Sequence, residues 1–545
     1  MDGQAADVDE KAWKDEKTGA DATVDATEAL DEAALEACGY KQELKRELSL
    51  VSSFSVALSV LGILPGIATT LPISLGYAGT VGLTWGWLLA WTGIQCVALS
   101  MAELASSMPT SGGLYYAVGV LAPPKTSRFL AYLTGWSNWL GLSTASPAVN
   151  YGNAAMISAL IKLNNPSFEP TNAKIFGITL SLTFLCFICA TLPTRWVARV
   201  NNAMTWFQGI GYLIVVIGLP AAVINRPRFR PSKEVWGTIE NGTEWPDGIA
   251  VIMAFLTAIW TMAGYDAPFH MSEECSNSQI ATPRVIVATA ATGGLFGWFL
   301  TLILAYIILD VGAVLGSPLG QPFISAMAQA TSPAVTTAFG IITIICGVIS
   351  SQGVALACSR LAYAYARDGV LPFSGLISHV NTRTATPVNA CIWNFLVATV
   401  YICLIFAGPV AIGAIFSFGA VAAYFAFVMP IFLRCFLAGD RWRPGPWNLG
   451  RWGKPVGIYA CAFVSLILPM LCFPAVRGAH LTAQNMNWAV LGWGGPLFLA
   501  TVSYALVSRK SYTGPKLRFE HLSASHSKAQ PGVDEEKRST GSEEK

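Results

Sequence analysis

From about residue 48 to 510 the chain alternates long apolar stretches with short polar ones. Twelve stretches reach about 18 residues or more, the length a helix needs to cross a hydrocarbon core. They fall near 51–78, 82–106, 128–158, 175–193, 200–224, 248–271, 286–311, 334–363, 388–408, 411–433, 456–476 and 487–507. The boundary between the ninth and tenth rests on "AGPVAIG" at 407–413, and eleven is the other count. The pattern predicts an all-α integral membrane protein with 12 transmembrane helices. Residues 1–47 and 511–545 lack such stretches. The first is acidic, both are poor in large apolar residues, and both read as disordered tails. No apolar run of signal-peptide type lies in residues 1–40.

Two spans carry poor helix formers at their centres. Span 1 reads "LGILPGIATT" over 61–70. Pro65 removes an amide donor and clashes with the preceding turn, and Gly66 tolerates unwound backbone. A break is therefore expected within 64–70, with the amides of Gly66 to Thr69 turned toward an anion. Span 6 holds Gly264, Tyr265, Asp266 and Pro268 at its middle. Gly ends helices, Asp caps them and Pro suits a first turn. One helix thus ends near Gly264 and another begins at Asp266. The free carbonyls of the ending half-helices suit an ammonium group, and the free amides of the restarting ones suit a carboxylate. Trp260 and Tyr265 could flank a small zwitterion. Either interruption alone reads as a packing kink. Together, in two spans that run in opposite directions, they point to the substrate site of a secondary transporter.

Composition narrows the class further. The chain is 53% hydrophobic and 12% charged, well under the quarter charged expected of a soluble domain. The net charge of +2 calls for no nucleic-acid partner. Of twelve cysteines, Cys186 and Cys189 form a C-x-x-C inside an apolar span, where they read as packing residues rather than a metal or redox pair. No cofactor is implied and no metal-ligand spacing is present. The absence of a nucleophile elbow argues against an enzyme, and the absence of a G-x-x-x-x-G-K-[ST] motif argues against an ATP-driven pump. Lys and Arg weight the loops on the N-terminal side thirteen to seven, which places both termini in the cytoplasm. The one N-x-[ST] sequon, Asn241-Gly242-Thr243, falls in an outer loop, where it is a glycosylation candidate. Lys11, Lys14 and Lys17 are candidate acceptors for a ubiquitin ligase acting on the tails.

Ionisable residues within spans are functional candidates by default. Asp266 is the first, either as carrier of a coupled proton or partner of a substrate amine, with a plain helix cap as the alternative. His270, one turn on, would titrate near neutrality; a structural histidine is the blander reading. Glu103, at the end of span 2, and Glu273 and Glu274, after span 6, read as gate or ion-pair partners of loop arginines such as Arg360 or Arg367. The "TSGGLYY" turn at 110–116 reads as structural.

These residues also carry a family resemblance. "LGILPGIATT", "MAELASSMPTSGGLYYAV" at 101–118, "GYDAPFHMSEECSNSQIATPRVI" at 264–286 and "ACSRLAYAYARDGVLP" at 357–372 resemble the amino acid–polyamine–organocation (APC) superfamily. Within it they resemble the fungal amino acid/choline transporter family, closest to GABA permeases. The resemblance implies a five-plus-five inverted repeat with discontinuous helices 1 and 6, the APC or LeuT-like fold, and alternating access. It implies substrate binding by Gly66, Ile67, Ala68 and Thr69, and by Trp260, Thr261, Ala263, Gly264 and Tyr265. Where many proton-coupled relatives place a Lys in helix 5, this chain has Gln208, which cannot titrate; a proton would need another carrier. The expected activity is proton-coupled permeation of GABA or another amino acid across the plasma membrane, with the vacuolar membrane as alternative. A polyamine or choline permease, and a nutrient sensor on a transporter scaffold, are the other readings.

Overall fold

The computed structural model describes residues 28–42, 46, 48–225, 227–381, 384, 386–509 and 512–515. Lys11, Lys14, Lys17 and most of both tails lie outside the described residues, as do Arg226 and Arg383 of the loop-charge comparison. The chain divides into two compact units, Met1–Glu43 with Lys516–Lys545, and Leu44–Pro515. In the smaller, residues 28–37 form a helix, α1. Their sequence, "EALDEAALEA", consists of strong helix formers apart from its one Asp.

The larger unit is helical throughout, with no strand among the described residues. Span 1 divides into α2 (Leu50–Leu61) and α3 (Ile63–Val81), joined at Gly62, and a π-helical turn leads to α4 (Trp87–Ser107). A short α5 (Gly113–Leu121) precedes the long α6 (Ser127–Asn164), followed by α7 (Asn172–Ala190) and α8 (Thr194–Ala221). After the loop helix α9 (Ser232–Gly237), span 6 is built of α10 (Asp247–Ala254), α11 (Leu256–Thr261) and α12 (Ala267–His270). Then come α13 (Ser278–Ile307), the loop helices α14 (Val311–Leu315) and α15 (Pro322–Ala330), and α16 (Pro333–Arg367). The chain ends with α17 (Ser374–Ile377), α18 (Val388–Ile402), α19 (Pro409–Phe432), α20 (Gly453–Met470) and α21 (Ala489–Ser503).

Among the described residues nine helices are long and apolar enough to cross a membrane. One of them, Leu50–Ser107, is interrupted at Gly62 (φ 51°, ψ 60°) and Gly79 (φ 60°, ψ −142°). Neither α6 nor broken span 6 is among the nine. The number of crossings is thus not fixed by apolar length alone. The membrane-type pattern shows in what is exposed: Trp206, Ile217 and Leu506 present large apolar side chains outward. Inside, α6 packs between α16 and α19, and α13 lies along α4.

The face where α2 starts is tied together by buried charge. Glu274 pairs with Arg360 at 3.2 Å, Glu273 with Arg367 at 3.2 Å and Glu103 with Arg434 at 2.5 Å. Arg360 and Arg367 belong to α16, while Arg434 follows α19. Glu103 Oε1 also accepts the Leu449 amide at 2.9 Å, fixing the loop between α19 and α20. The opposite face is closed by loops. Arg230 joins Glu234 and Glu240, and Glu240 lies so close to Gly79 that an added Cβ would meet it at 2.7 Å. Gln321, at the start of α15, donates to the Ala68 carbonyl of α3 at 3.0 Å. The loop after α9 is clasped to the loop after α20: Trp245 stacks on Phe473 at 4.6 Å, while Glu244 accepts the Arg477 amide and meets the His480 ring.

Removing one partner of a buried ion pair leaves an unpaired charge, which costs about 3–5 kcal/mol. Arg434→Ala is therefore expected to destabilise the protein by roughly that amount, and Glu103→Gln combined with Arg434→Met by much less. Thermal unfolding in detergent is the measurement, and equal losses for the two variants would contradict the pairing. A second expectation concerns acid. The Arg477 amide, then His480, hold the Glu244 carboxyl below the usual carboxylate range. A lowered carboxylate contributes above its unfolded value and is lost as pH falls through its folded one. The clasp should hold at neutral pH and loosen below about pH 4. Hydrogen exchange over 471–488, corrected for intrinsic rate, should rise on acidification, and Glu244→Gln should show the raised level already at pH 7.

Candidate functional site

Both central breaks fall on glycines with positive φ. Gly62 takes the left-handed conformation, its amide bonded back to Leu58 O at 3.2 Å and its carbonyl accepting Gly66 N at 2.8 Å. The expected break at 64–70 is thus corrected: α3 has restarted at Ile63, and Pro65 sits in its first turn, where the missing amide would have no partner anyway. The amides that precede the first helical bond are those of Ile63 and Leu64, not Gly66 to Thr69. Thr69 and Thr70 turn their hydroxyls onto the carbonyls of Pro65 and Gly66, at 2.7 and 2.8 Å. In span 6, α11 ends at Thr261, residues 262–266 form turns, and Gly264 has φ 108°.

The broken segments pack as pairs. An added Cβ at Gly264 would meet Val60 Cγ1 of α2 at 2.5 Å, and one at Gly66 would meet Thr261 Cγ2 of α11 at 2.8 Å. Ser350 of α16 donates to the Val60 carbonyl at 3.2 Å, taking up one of the carbonyls that α2 leaves at its end. Between the pairs lies a cavity open to the centre of a water-sized sphere over about 50 Å³. That exceeds the roughly 10–15 Å³ needed to hold one water.

Of the residues expected to bind substrate, Gly66, Trp260, Thr261, Ala263 and Gly264 line this cavity, together with Asp266. Thr261 Oγ1 is buried and makes no protein hydrogen bond, leaving it free for a ligand. The Trp260 ring meets Phe416 edge-on at 4.9 Å. Ile67, Ala68, Thr69 and Tyr265 are not in the wall. Ile67 and Ala68 are buried within α3, and Tyr265 turns its ring toward Phe427 at 5.6 Å. Val60, Leu61 and Gly62 add the end of α2, and unbroken helices supply the opposite wall: Asn138, Gly141 and Ala145 of α6, Ser350 and Val354 of α16, and Gly419 and Ala423 of α19. Their small side chains let helices approach closely, as where a Cβ on Gly419 would meet Thr144 Oγ1 at 2.4 Å. Sequence reasoning missed them. Asn138, a buried amide in a span, was the available signal.

Asp266 is the only ionisable residue in the cavity wall among the described residues. Its side chain makes no cap hydrogen bond to α12, which removes the plain-cap reading. Instead Oδ2 lies 3.2 Å from His270 Nε2, one turn on. That nitrogen is also 3.2 Å from Asn138 Nδ2, which donates to the Tyr365 hydroxyl at 3.0 Å. All four side chains are buried. The "TSGGLYY" turn presses on the same imidazole: a Cβ at Gly113 would sit 3.2 Å from its Cε1 and Nδ1. Beyond it, Ser111 N donates to Glu273 Oε1 at 2.9 Å.

Gln208 of α8 lies outside this cavity. It lines a second one of about 250 Å³, with Gly62, Ile63, Leu64, Pro65 and Tyr212, and donates to Cys346 O at 3.1 Å. It therefore stands beside the span 1 break, in a wall without charge. Asn241 donates its amide nitrogen to Trp245 O and Asp247 Oδ1, and its oxygen accepts from Thr243 N and Oγ1. A glycan on that nitrogen would replace one of these bonds. Among the described residues no group of His, Cys, Asp and Glu is placed to hold a metal ion.

The chain matches the amino acid permease family over residues 48–496. An uncharacterized amino-acid permease of Schizosaccharomyces pombe is 48% identical over 493 residues, covering 90% of each chain. A Candida albicans protein named "Putative polyamine transporter" is 43% identical over 495 residues, 89% of each. Amino-acid permease BAT1 of Arabidopsis thaliana is 32% identical over 497 residues, 88% of this chain and 95% of its own.

Gly264→Ala tests the break. A residue with a side chain at φ 108° is strained by about 1–3 kcal/mol, before the overlap with Val60 is counted. The variant should lose at least that much stability. Gly177→Ala, in a helix with nothing within 4 Å, should be neutral or slightly stabilising. Indistinguishable melting of the two would contradict the geometry.

Proposed function

The chain belongs to the amino acid permease family, and from that premise we propose that it is a proton-coupled secondary transporter of GABA or a related ω-amino acid, working by alternating access. The observation that carries this reading is the cavity between two broken spans, with one carboxylate, Asp266, in an otherwise uncharged wall. A zwitterion matches it: its ammonium group suits Asp266, and its carboxylate suits the Thr261 hydroxyl and the start of α3 at Gly62, both in the wall, where the helix dipole favours negative charge. Trp260 covers the ligand, Thr261 offers a free hydroxyl, and Gly66 and Gly264 let backbone approach it. Asp266, with His270, carries the coupled proton, since Gln208 cannot. Glu273 and Glu274, paired to α16, serve as the gate on the face where α2 starts, and Glu103 braces the loop beside it.

That face is cytoplasmic in this reading, with both termini inside, the membrane is the plasma membrane, and a ubiquitin ligase acts on the tails. A polyamine substrate is the second reading, favoured by the name of the Candida relative and by an acidic group in the wall. A dication, however, would leave one ammonium without a partner there.

Radiotracer uptake in transporter-null yeast tests both. GABA should accumulate, faster at pH 5 than at pH 7, and be displaced by unlabelled GABA better than by putrescine or choline. Asp266→Asn should abolish the pH dependence. Preferential displacement by putrescine would transfer the assignment to polyamines, and binding without accumulation would favour a sensor.

A further inference from the structure

The Asp266–His270 pair has a property that substrate contact alone does not require. Its atoms belong to a buried cluster: Asp266 Oδ2, His270 Nε2, Asn138 Nδ2 and the Tyr365 hydroxyl, linked at 3.0–3.2 Å. An amide nitrogen only donates. With Asn138 Nδ2 toward the ring, Nε2 is therefore an acceptor, and a proton between the pair sits on Asp266. A half-turn of the amide presents Oδ1 instead, which accepts both from a protonated Nε2 and from the Tyr365 hydroxyl. The cluster thus offers Nε2 a partner for a proton at either end, while in both arrangements Nδ1 carries a hydrogen with no protein partner.

Nothing nearby offsets a change in its charge. On its own segment Glu273 and Glu274 are already paired with Arg367 and Arg360 of α16. From α16 Tyr365 faces the pair, and Asp368 farther along is bound by the Tyr115 hydroxyl of α5. From α6 comes Asn138, from α19 Tyr424, from the turn before α5 the backbone at Gly113, and from the span 6 break Tyr265. Apart from Asp368 these are neutral or ion-paired; α2, also packed on α12, carries no charged residue, Arg284 of α13 is exposed, and Arg46 is engaged with the Ser272 and Cys275 carbonyls. A net charge isolated in such surroundings is costly. With one proton the pair is neutral; without it, the pair carries −1.

We propose that Asp266 and His270 together hold a single proton that is retained when the cargo is a zwitterion and released when the cargo is a monovalent cation. The net charge of the cargo then decides whether the proton travels with it or against it. The inference rests on the reading of this cavity as the cargo site. A zwitterion adds no net charge, so the proton stays on the pair and moves with the cargo. A cationic amine adds +1, and neutrality is restored when the proton leaves the pair for water as the amine takes its place beside Asp266. Asn138 and His270 are positioning and proton-holding groups, and neither need touch the cargo.

The test counts protons on binding. Purified full-length protein is titrated with 4-aminobutyrate and with 1-aminobutane at pH 7, in phosphate and in Tris, whose ionisation enthalpies differ. The difference in binding heat between buffers gives the protons exchanged. The expected result is near zero for 4-aminobutyrate and about one released for 1-aminobutane, whose affinity falls about tenfold for each pH unit of acidification while the pair is protonated. His270→Gln should bring both ligands to zero, with 1-aminobutane affinity independent of pH. If that variant does not fold, the unaltered protein still decides: the dependence of affinity on pH should correspond to one proton for 1-aminobutane and to none for 4-aminobutyrate. Equal proton counts for the two ligands in the unaltered protein would overturn the proposal while leaving the cargo site in place. Binding of neither ligand would overturn the cargo site itself, and the proposal with it.

Discussion

A backbone amide or carbonyl that reaches hydrocarbon without a hydrogen-bond partner costs several kcal/mol, so a membrane helix stays unbroken unless protein surrounds the gap. This protein breaks two spans at their centres and encloses both gaps with α6, α16 and α19. The arrangement depends on Gly62 and Gly264, whose positive φ values let the chain turn. It depends equally on the tight seating of Gly264 against Val60 and of Gly66 against Thr261. Gly62, Gly66 and Gly264, where the two spans turn or meet, all line the cavity. One constraint therefore produces both the architecture and the site.

Charged groups tie together the elements around that site. On one face the segment after α12 is held to α16 through two buried ion pairs, of Glu273 and Glu274. On the other, Glu240 and α15 cover α3, and the Glu244 clasp binds two loops above it. The buried pairs are strong but costly to expose, while the clasp is solvent-exposed and held by few contacts. The two faces thus differ in the kind of interaction that must yield.

Much of this is legible in the sequence. The apolar periodicity specifies a helical membrane protein, and the Gly264 break sits where the Gly-Tyr-Asp-Ala-Pro run places it. The first break lies a few residues earlier than Pro65 suggests. Proline fits a helix's first turn, and the glycine before it, able to adopt φ 51°, is the turning point. Ile67, Ala68 and Thr69 consequently fall inside a regular helix. The opposite wall is not legible, since Asn138, Ser350 and Gly419 belong to unbroken spans whose facing is decided by helix packing. The Asp266–His270 contact is legible in principle: the spacing is i, i+4, which puts two side chains on one helical face. The count of crossings is the weakest inference, because α6 is rich in Ser, Thr and Asn, and broken span 6 has no single long apolar helix.

The small size of the empty cavity has an energetic consequence for the return half of a transport cycle. A carrier that swung back around a large wet chamber would drag a slug of solvent, and any small solute dissolved in it, across the bilayer each time. With a cavity of about 50 Å³, a protein working by the proposed cycle would carry little solvent back. Leakage per cycle is limited by geometry, before any selectivity for the cargo comes into play.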